Sequence, residues 1–246
     1  MLADHSVVSA EANGILRRER WAERMSIPAG IGSQLLSGED AAPGGRGFGD
    51  AVTDHRSSWV RTAHWLGSDC YFKTYDYPTR RDRWRGLART TVPNRSRARR
   101  EWAALHWLGA HGFAVAPPIA LAEARIGPFL RRSVLVTGSY GGPDLRWWLG
   151  PESMTEPAEV LHALADLVAA LHRQGFHDRN LDPRNVLARR DAAVGLRLTK
   201  IDSPRFVLAR PGSRHARRLV SADLARLDLG LRELGFTLPG SPGIRS

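Results

Sequence analysis

Between Gly175 and Leu187 the chain gathers His177, Asp178, Asn180, Asp182 and Asn185 into one short polar segment that runs into the apolar pair Val186 and Leu187. Carboxylates can accept protons and, together with carboxamide oxygens, can hold a hard cation; an amide can do only the second. Downstream, an alternating run from Leu196 ends at Asp202, followed by Ser203 and Pro204. Two strands bracketing a hairpin here would bring Asn185 and Asp202 close together. Lys73 and Lys200 are the only lysines among 36 basic residues, the rest being arginine. Such a bias fits a GC-rich genome, and it raises the question of whether each lysine's position needs a compact ammonium in place of a planar guanidinium. Glu101 shares one face of a predicted helix with Leu105 and Leu108, and a carboxylate on an apolar face needs a cation.

The elements that must position these residues follow from periodicity. Residues 59–65 and 70–75 alternate and are rich in β-formers, with a turn at Gly67, Ser68 and Asp69. A glycine-free turn is expected at 54–58, and an arginine-dense connection follows at Arg80, Arg81, Arg83, Arg85 and Arg89. Helical spacing over Arg97–Ala110 stops before Gly112, and strand-like runs at 119–124 and 133–137 flank a turn at Gly127 and Pro128. Tyr140, Gly141, Gly142 and Pro143 break the pattern and read as a hinge. The strongest helix signal runs from near Thr155 and Pro157 to Gly175, with Val160, Leu161, Leu164, Leu167, Val168 and Leu171 on its apolar stripe. A last helix is expected from Ser221 to Leu234. Ahead of all this, Val7–Met25 could be an amphipathic helix, and a linker contains Gly44, Gly45, Gly47 and Gly49.

Residues 179–187, Arg-Asn-Leu-Asp-Pro-Arg-Asn-Val-Leu, resemble the catalytic loop H-R-D-L-x-x-x-N of protein kinases, and Ile201, Asp202 and Ser203 resemble the metal-binding D-F-G. Tyr71, Phe72 and Lys73 are similar to the strand that carries the ATP lysine, and Arg99, Arg100, Glu101 and Trp102 to the helix that supplies its glutamate. With His172, Arg173, Gln174, Gly175 and Phe176 before the loop, the sequence resembles the lipopolysaccharide kinases acting on Kdo or heptose, over roughly residues 55 to 235. The resemblance implies an α+β, bilobal protein-kinase-like fold with a small antiparallel N-lobe sheet and a short, mainly helical C-lobe. The expected division is an extension and linker over 1–50, an N-lobe over 51–138 and a C-lobe over 139–246. It also implies ATP and Mg²⁺ as cofactors, with Lys73 and Glu101 on the nucleotide and Asn185 and Asp202 on the metal. The position of the family's catalytic aspartate holds Asn180, and that of its loop histidine holds Asp178. An amide cannot take the acceptor's proton, so Asp182 or Asp178 is expected as base, with His177 a weaker candidate.

A net charge of +11 and a pI near 11.1 favour anionic partners. The arginines around Glu101 read either as a solvated surface or as a patch for a phosphorylated sugar or acidic membrane. The single Cys70 excludes an internal disulfide and a cysteine-rich metal site, which suits a reducing cytoplasm. No apolar run approaches the roughly 20 residues of a spanning helix, and no secretory leader is evident. The expected location is cytoplasmic, with peripheral contact at the inner membrane. The expected activity is phosphotransfer to a sugar hydroxyl of lipopolysaccharide core or a related glycoconjugate, with an anionic glycolipid or phosphosugar as partner. The alternative is a pseudokinase-like nucleotide-binding or scaffold module. Nucleic-acid binding ranks last, because only the charge suggests it.

Overall fold

Strict alternation along residues 68–76 puts Cys70, Phe72 and Thr74 on one face of a strand and Tyr71, Lys73 and Tyr75 on the other. In the computed structural model, which describes residues 17–18, 31–85, 96–126, 129–153, 156–193 and 195–239, that strand is central to a six-stranded antiparallel sheet. The sheet comprises β1 (Arg17–Arg18), β2 (Asp50–His55), β3 (Ser58–Trp65), β4 (Ser68–Asp76), β5 (Pro118–Ile126) and β6 (Phe129–Gly138), in the order β1-β5-β6-β4-β3-β2. β2 and β3 join through Arg56 and Ser57, and His55 faces Ser58. In register, Lys73 lies between Val60 of β3 and Leu135 of β6. The expected 67–69 turn is tighter than the sequence suggested, because Ser68 and Asp69 already pair within the ladder.

The chain divides into two compact units, Met1–His106 with Ala116–Ser139, and Trp107–Val115 with Tyr140–Ser246. In the first, one face of the sheet is covered by the segment leading into it. Ile31 and Leu35 of α1 (Ile31–Leu36) join Cys70, Phe72, Ile119, Ala122, Val134 and Val136 in one buried cluster, against which Phe48 also packs. The Gly44 carbonyl accepts hydrogen bonds from Trp59 Nε1 at 3.0 Å, Thr74 Oγ1 at 2.8 Å and Arg132 Nη2 at 3.0 Å. Gly44 has φ +87°, and an added Cβ would come within 3.1 Å of Val134. The positive φ favours glycine there, and a Cβ would in addition press on the Val134 side chain. The short helix α2 (Arg80–Arg85) follows β4, and α3 spans Arg97–Ala110. The helix expected over Val7–Met25 lies outside the described residues except for Arg17 and Arg18, which pair with β5 as a strand. The turn at Gly127 and Pro128, together with Arg89, Thr155 and Arg95 of the arginine-rich stretch ahead of Glu101, also lies outside them.

The second unit is built on the apolar stripe read from the sequence. Val160, Leu161, Leu164, Val168 and Leu171 of α5 (Pro157–Arg173) are buried, with Leu167 packed at the margin. All of these but Leu171 share a core with Leu145 and Trp148 of α4 (Leu145–Trp148), Val186 and Ala188 of β8 (Val186–Asp191), and Leu198 of β9 (Gly195–Lys200). β8 and β9 form the expected hairpin, and β7 (Phe176–Asp178) pairs with β10 (Phe206–Leu208). The final helix α6 runs Arg214–Arg232, starting earlier than expected. Its cap is Ser213, whose side chain accepts the Ala216 N–H, whereas Ser221 lies mid-helix and donates back to the Arg217 carbonyl. Among the described residues no helix is long and apolar enough to cross a membrane.

Candidate active site

Lys73 sits on the sheet face opposite Phe72, and its Nζ reaches Glu101 Oε2 of α3 at 2.8 Å. Glu101, Leu105 and Leu108 are all buried, so the carboxylate on the apolar face has the cation that its position demands. The start of α3 is tied to β5 by a second acid. Glu123, itself buried, takes two bonds from the Arg99 guanidinium at 3.1 and 2.7 Å and one from Ser96 Oγ. Ser96 Oγ in turn accepts the Arg99 N–H at 3.0 Å, as an N-cap does. These bonds set which face of α3 turns inward, and therefore where Glu101 points.

In the second unit, the loop after β7 folds back on itself through its own polar groups. The Asn180 N–H donates to Asp178 Oδ1 at 3.0 Å, and Asn185 Nδ2 donates to the Asn180 carbonyl at 3.0 Å. Asp182 caps the 3₁₀ turn Pro183–Asn185 and is held by Arg226 of α6 at 2.8 Å and by Arg184 at 3.3 Å. α6 approaches this turn so closely that a Cβ on Gly230 would lie 2.7 Å from Pro183 Cδ, which excludes any larger residue.

Asn180, Asn185 and Asp202 come together. Asn180 Nδ2 donates to Asp202 Oδ2 at 2.6 Å and to the Asp202 carbonyl at 2.9 Å, while the Ile201 N–H donates to the Asn185 carbonyl at 2.9 Å. Asp202 has φ +53°, left-handed backbone that a non-glycine residue adopts at a cost of about 1 kcal/mol or more. The carboxylate of Asp202 and the carboxamide oxygens of its neighbours are hard donors, a set that suits an ion of the magnesium type.

Asp178 has a different environment. Only 2% of its side chain is exposed, and it takes Lys200 Nζ at 2.8 Å and Ser203 Oγ at 2.8 Å on the same oxygen. Behind it, Asp223 of α6 accepts the Asp178 N–H at 3.2 Å and faces His172 Nε2 at 3.1 Å, fastening β7 to the helix. His177 lies beside this acid, its Nδ1 3.4 Å from Asp223 Oδ2, but among the described residues neither ring nitrogen has a hydrogen-bond partner. Burial, and then the neighbouring His172, lower its proton affinity, partly offset by Asp223. The two imidazoles stack with ring centroids 5.1 Å apart, and one ligand atom each of His172, His177 and Asp223 lies within 4.8 Å of the others.

Sequence reasoning missed Asp223, Arg226 and Ser203 as organisers of the loop, and it noticed Lys200 only through its rarity. Apart from the adjacent Ile201 carbonyl that Lys200 also reaches, their partners in the loop and in β7 and its preceding helix lie 22 to 51 positions away, beyond any local pattern.

The chain resembles solved kinase-like structures at low identity. A structure described as WaaP in complex with acyl carrier protein aligns with a TM-score of 0.59 and 19% identity, covering 90% of this chain and 83% of that one. The Rio2 kinase–ADP/Mg²⁺–phosphoaspartate complex from Chaetomium thermophilum aligns with a TM-score of 0.55 and 21% identity, covering 80% of this chain and 58% of that one. These likenesses show the α+β, protein-kinase-like fold expected from the motifs. No curated protein matches the sequence. The model of the lipopolysaccharide kinase (Kdo/WaaP) family matches residues 49–238, most of the chain, and the chain therefore belongs to that family of kinase-type phosphotransferases.

Proposed function

We propose that this chain transfers the γ-phosphoryl group of ATP to a sugar hydroxyl of lipopolysaccharide core or a related envelope glycoconjugate. The observation that carries this reading is the 2.8 Å pairing of Lys73 with Glu101, in a chain that otherwise uses arginine almost throughout. A compact ammonium held by a buried acid is suited to bridging phosphate oxygens, while a fork-shaped guanidinium is suited to clamping one planar group. Mg-ATP, when bound, supplies the transferable phosphoryl group and neutralises its developing charge. Lys73 would hold the phosphates of the nucleotide, with Glu101 keeping the lysine aimed, and Asn185 and Asp202 would hold the metal through oxygen. The basic balance of +11 favours an anionic glycolipid as acceptor, met at an acidic membrane face.

The acceptor's proton needs a destination. Asn180 has no basicity, and Asp178 is enclosed by Lys200 and Ser203. Asp182 is held by Arg226 and Arg184, whose side chains are 37% and 52% exposed and can swing toward a phosphorylated substrate. We therefore assign the base to Asp182.

The test is transfer of labelled γ-phosphate from Mg-ATP to a panel of purified envelope glycolipids. Wild-type protein is expected to label one class of acceptor, Asp202→Ala to lose labelling, and Asp182→Asn to fall by about 100-fold or more. A second reading, nucleotide binding with little turnover, is favoured by the Asn180 amide facing Asp202 where a kinase loop carries an acid. Folded wild type that binds Mg-ATP without labelling any acceptor, together with an Asn180→Asp variant that does label one, would establish the second reading.

A further inference from the structure

Every residue from Lys200 to Ser203 is tied to the segment 178–185. Lys200 Nζ and Ser203 Oγ both bond Asp178 Oδ2 at 2.8 Å. The Ile201 N–H donates to Asn185, and its carbonyl accepts a second bond from Lys200 Nζ. Asp202 is held through its carbonyl and carboxylate by Asn180. In the middle of this clamp Asp202 has a left-handed backbone, φ +53°, which aspartate tolerates better than most residues but still less well than glycine. A residue in that region relaxes toward the ordinary basin unless its neighbours over-determine it, and relaxation would swing its carboxylate elsewhere.

We infer that Lys200, acting through the buried Asp178 and Ser203, is a positioning latch that holds Asp202 in the conformation in which its carboxylate meets Asn180. The inference rests on the proposed metal-holding role of Asp202. Lys200 is a positioning residue only, since its side chain is 0% exposed and reaches no substrate. Its single nitrogen serves two acceptors on different segments, Asp178 and the Ile201 carbonyl, at the end of a slim stem. A guanidinium would present a wider plane to the same closed space. That accounts for lysine at a position where this chain's bias would place arginine. It also gives Asp178 an occupation other than proton transfer.

A buried pair can be replaced by apolar residues without loss of stability, whereas removing one partner strands the other charge. This separates holding the core together from holding Asp202. Hydrogen exchange of the backbone amides at 201–203 and 205–206 would be followed without ligand in the full chain, for wild type, Asp178→Leu/Lys200→Met and Ser203→Ala. In the same proteins the Mg²⁺ concentration needed for half-maximal binding of a fluorescent ATP analogue would be measured. The double variant is expected to melt near wild type, yet to exchange at least ten-fold faster at 201–203 and to need about ten-fold more Mg²⁺. Ser203→Ala removes one tie and keeps the ion pair, so it guards against a double variant that does not fold; several-fold faster exchange is expected at the same amides. Unchanged exchange at 201–203 in Ser203→Ala, or in a folded double variant, overturns the latch. Wild type that binds no Mg-nucleotide would defeat the nucleotide reading alone, because the exchange measured without ligand still decides the latch.

Discussion

The two lysines of this chain stand in ion pairs of the same length and opposite character. In the first unit, Lys73 and Glu101 meet at 2.8 Å with 21% and 8% of their side chains exposed. In the second, Lys200 and Asp178 meet at 2.8 Å with 0% and 2% exposed. A partly exposed ammonium can exchange its carboxylate for phosphate oxygens, because water and ligand can reach it. An enclosed one is fixed from the moment the core closes, and its Coulombic gain is set against the desolvation of both charges. The same residue type at the same distance is thus suited to recognition in one place and to architecture in the other. Burial separates the two cases where contact distance cannot.

The sharpest way to break this contrast is to remove each ammonium in turn. Lys200→Met leaves Asp178 charged and enclosed, and is expected to cost about 3–5 kcal/mol of unfolding free energy, read from urea titration. Lys73→Met is expected to cost about 1–2 kcal/mol in the same titration, but to lower phosphotransfer by about 100-fold or more. Equal stability losses for the two variants would erase the distinction. Lys73→Arg sharpens the point: the charge survives and stability changes little, while the planar head loses about ten-fold in transfer. The smallest expected effect is titration of His177. Burial lowers its folded-state affinity for a proton below that of the unfolded chain, whose value is near 6.5, so the unfolded chain binds more protons in acid. Stability should therefore be full above about pH 6.5 and decline as the pH falls below it. Melting temperatures from pH 7.5 to 5.5 would show that slope, and His177→Phe should flatten it.

Much of the fold was legible because its signals are local. The alternation of Cys70, Phe72 and Thr74 against Tyr71, Lys73 and Tyr75 identified a two-faced strand, and the stripe from Val160 to Leu171 identified a core helix. The placement of Glu101 beside Leu105 and Leu108 announced a cation without saying which, and Lys73 supplies it. The hairpin that brings Asn185 to the neighbourhood of Asp202 was likewise implied by the two alternating runs. What the sequence could not disclose were pairings chosen by packing. Asp178 read from the sequence only as a candidate base beside Asp182, and its enclosure by Lys200 and Ser203 had no local signal. Ser221 looked like a cap because the residues after it are helical, but the helix had begun at Ser213, where the local apolar pattern is weak. The roles of Asp223 and Arg226 depend on how α6 lies against the loop, which no short-range pattern encodes.

The covering of the first unit's sheet by residues 31–48 bears on where this molecule can be cut. Family similarity begins at residue 49, but Ile31, Leu35 and Phe48 pack against Cys70, Phe72, Val134 and Val136, and the Gly44 carbonyl satisfies three side-chain donors. A fragment trimmed to the homologous boundary would present that apolar face to water and leave the Arg132 guanidinium without two of its carbonyl acceptors, those of Gly44 and Leu35. Such a fragment would be prone to precipitate, so the smallest piece worth expressing starts by residue 31, earlier than evolutionary signal alone would place it.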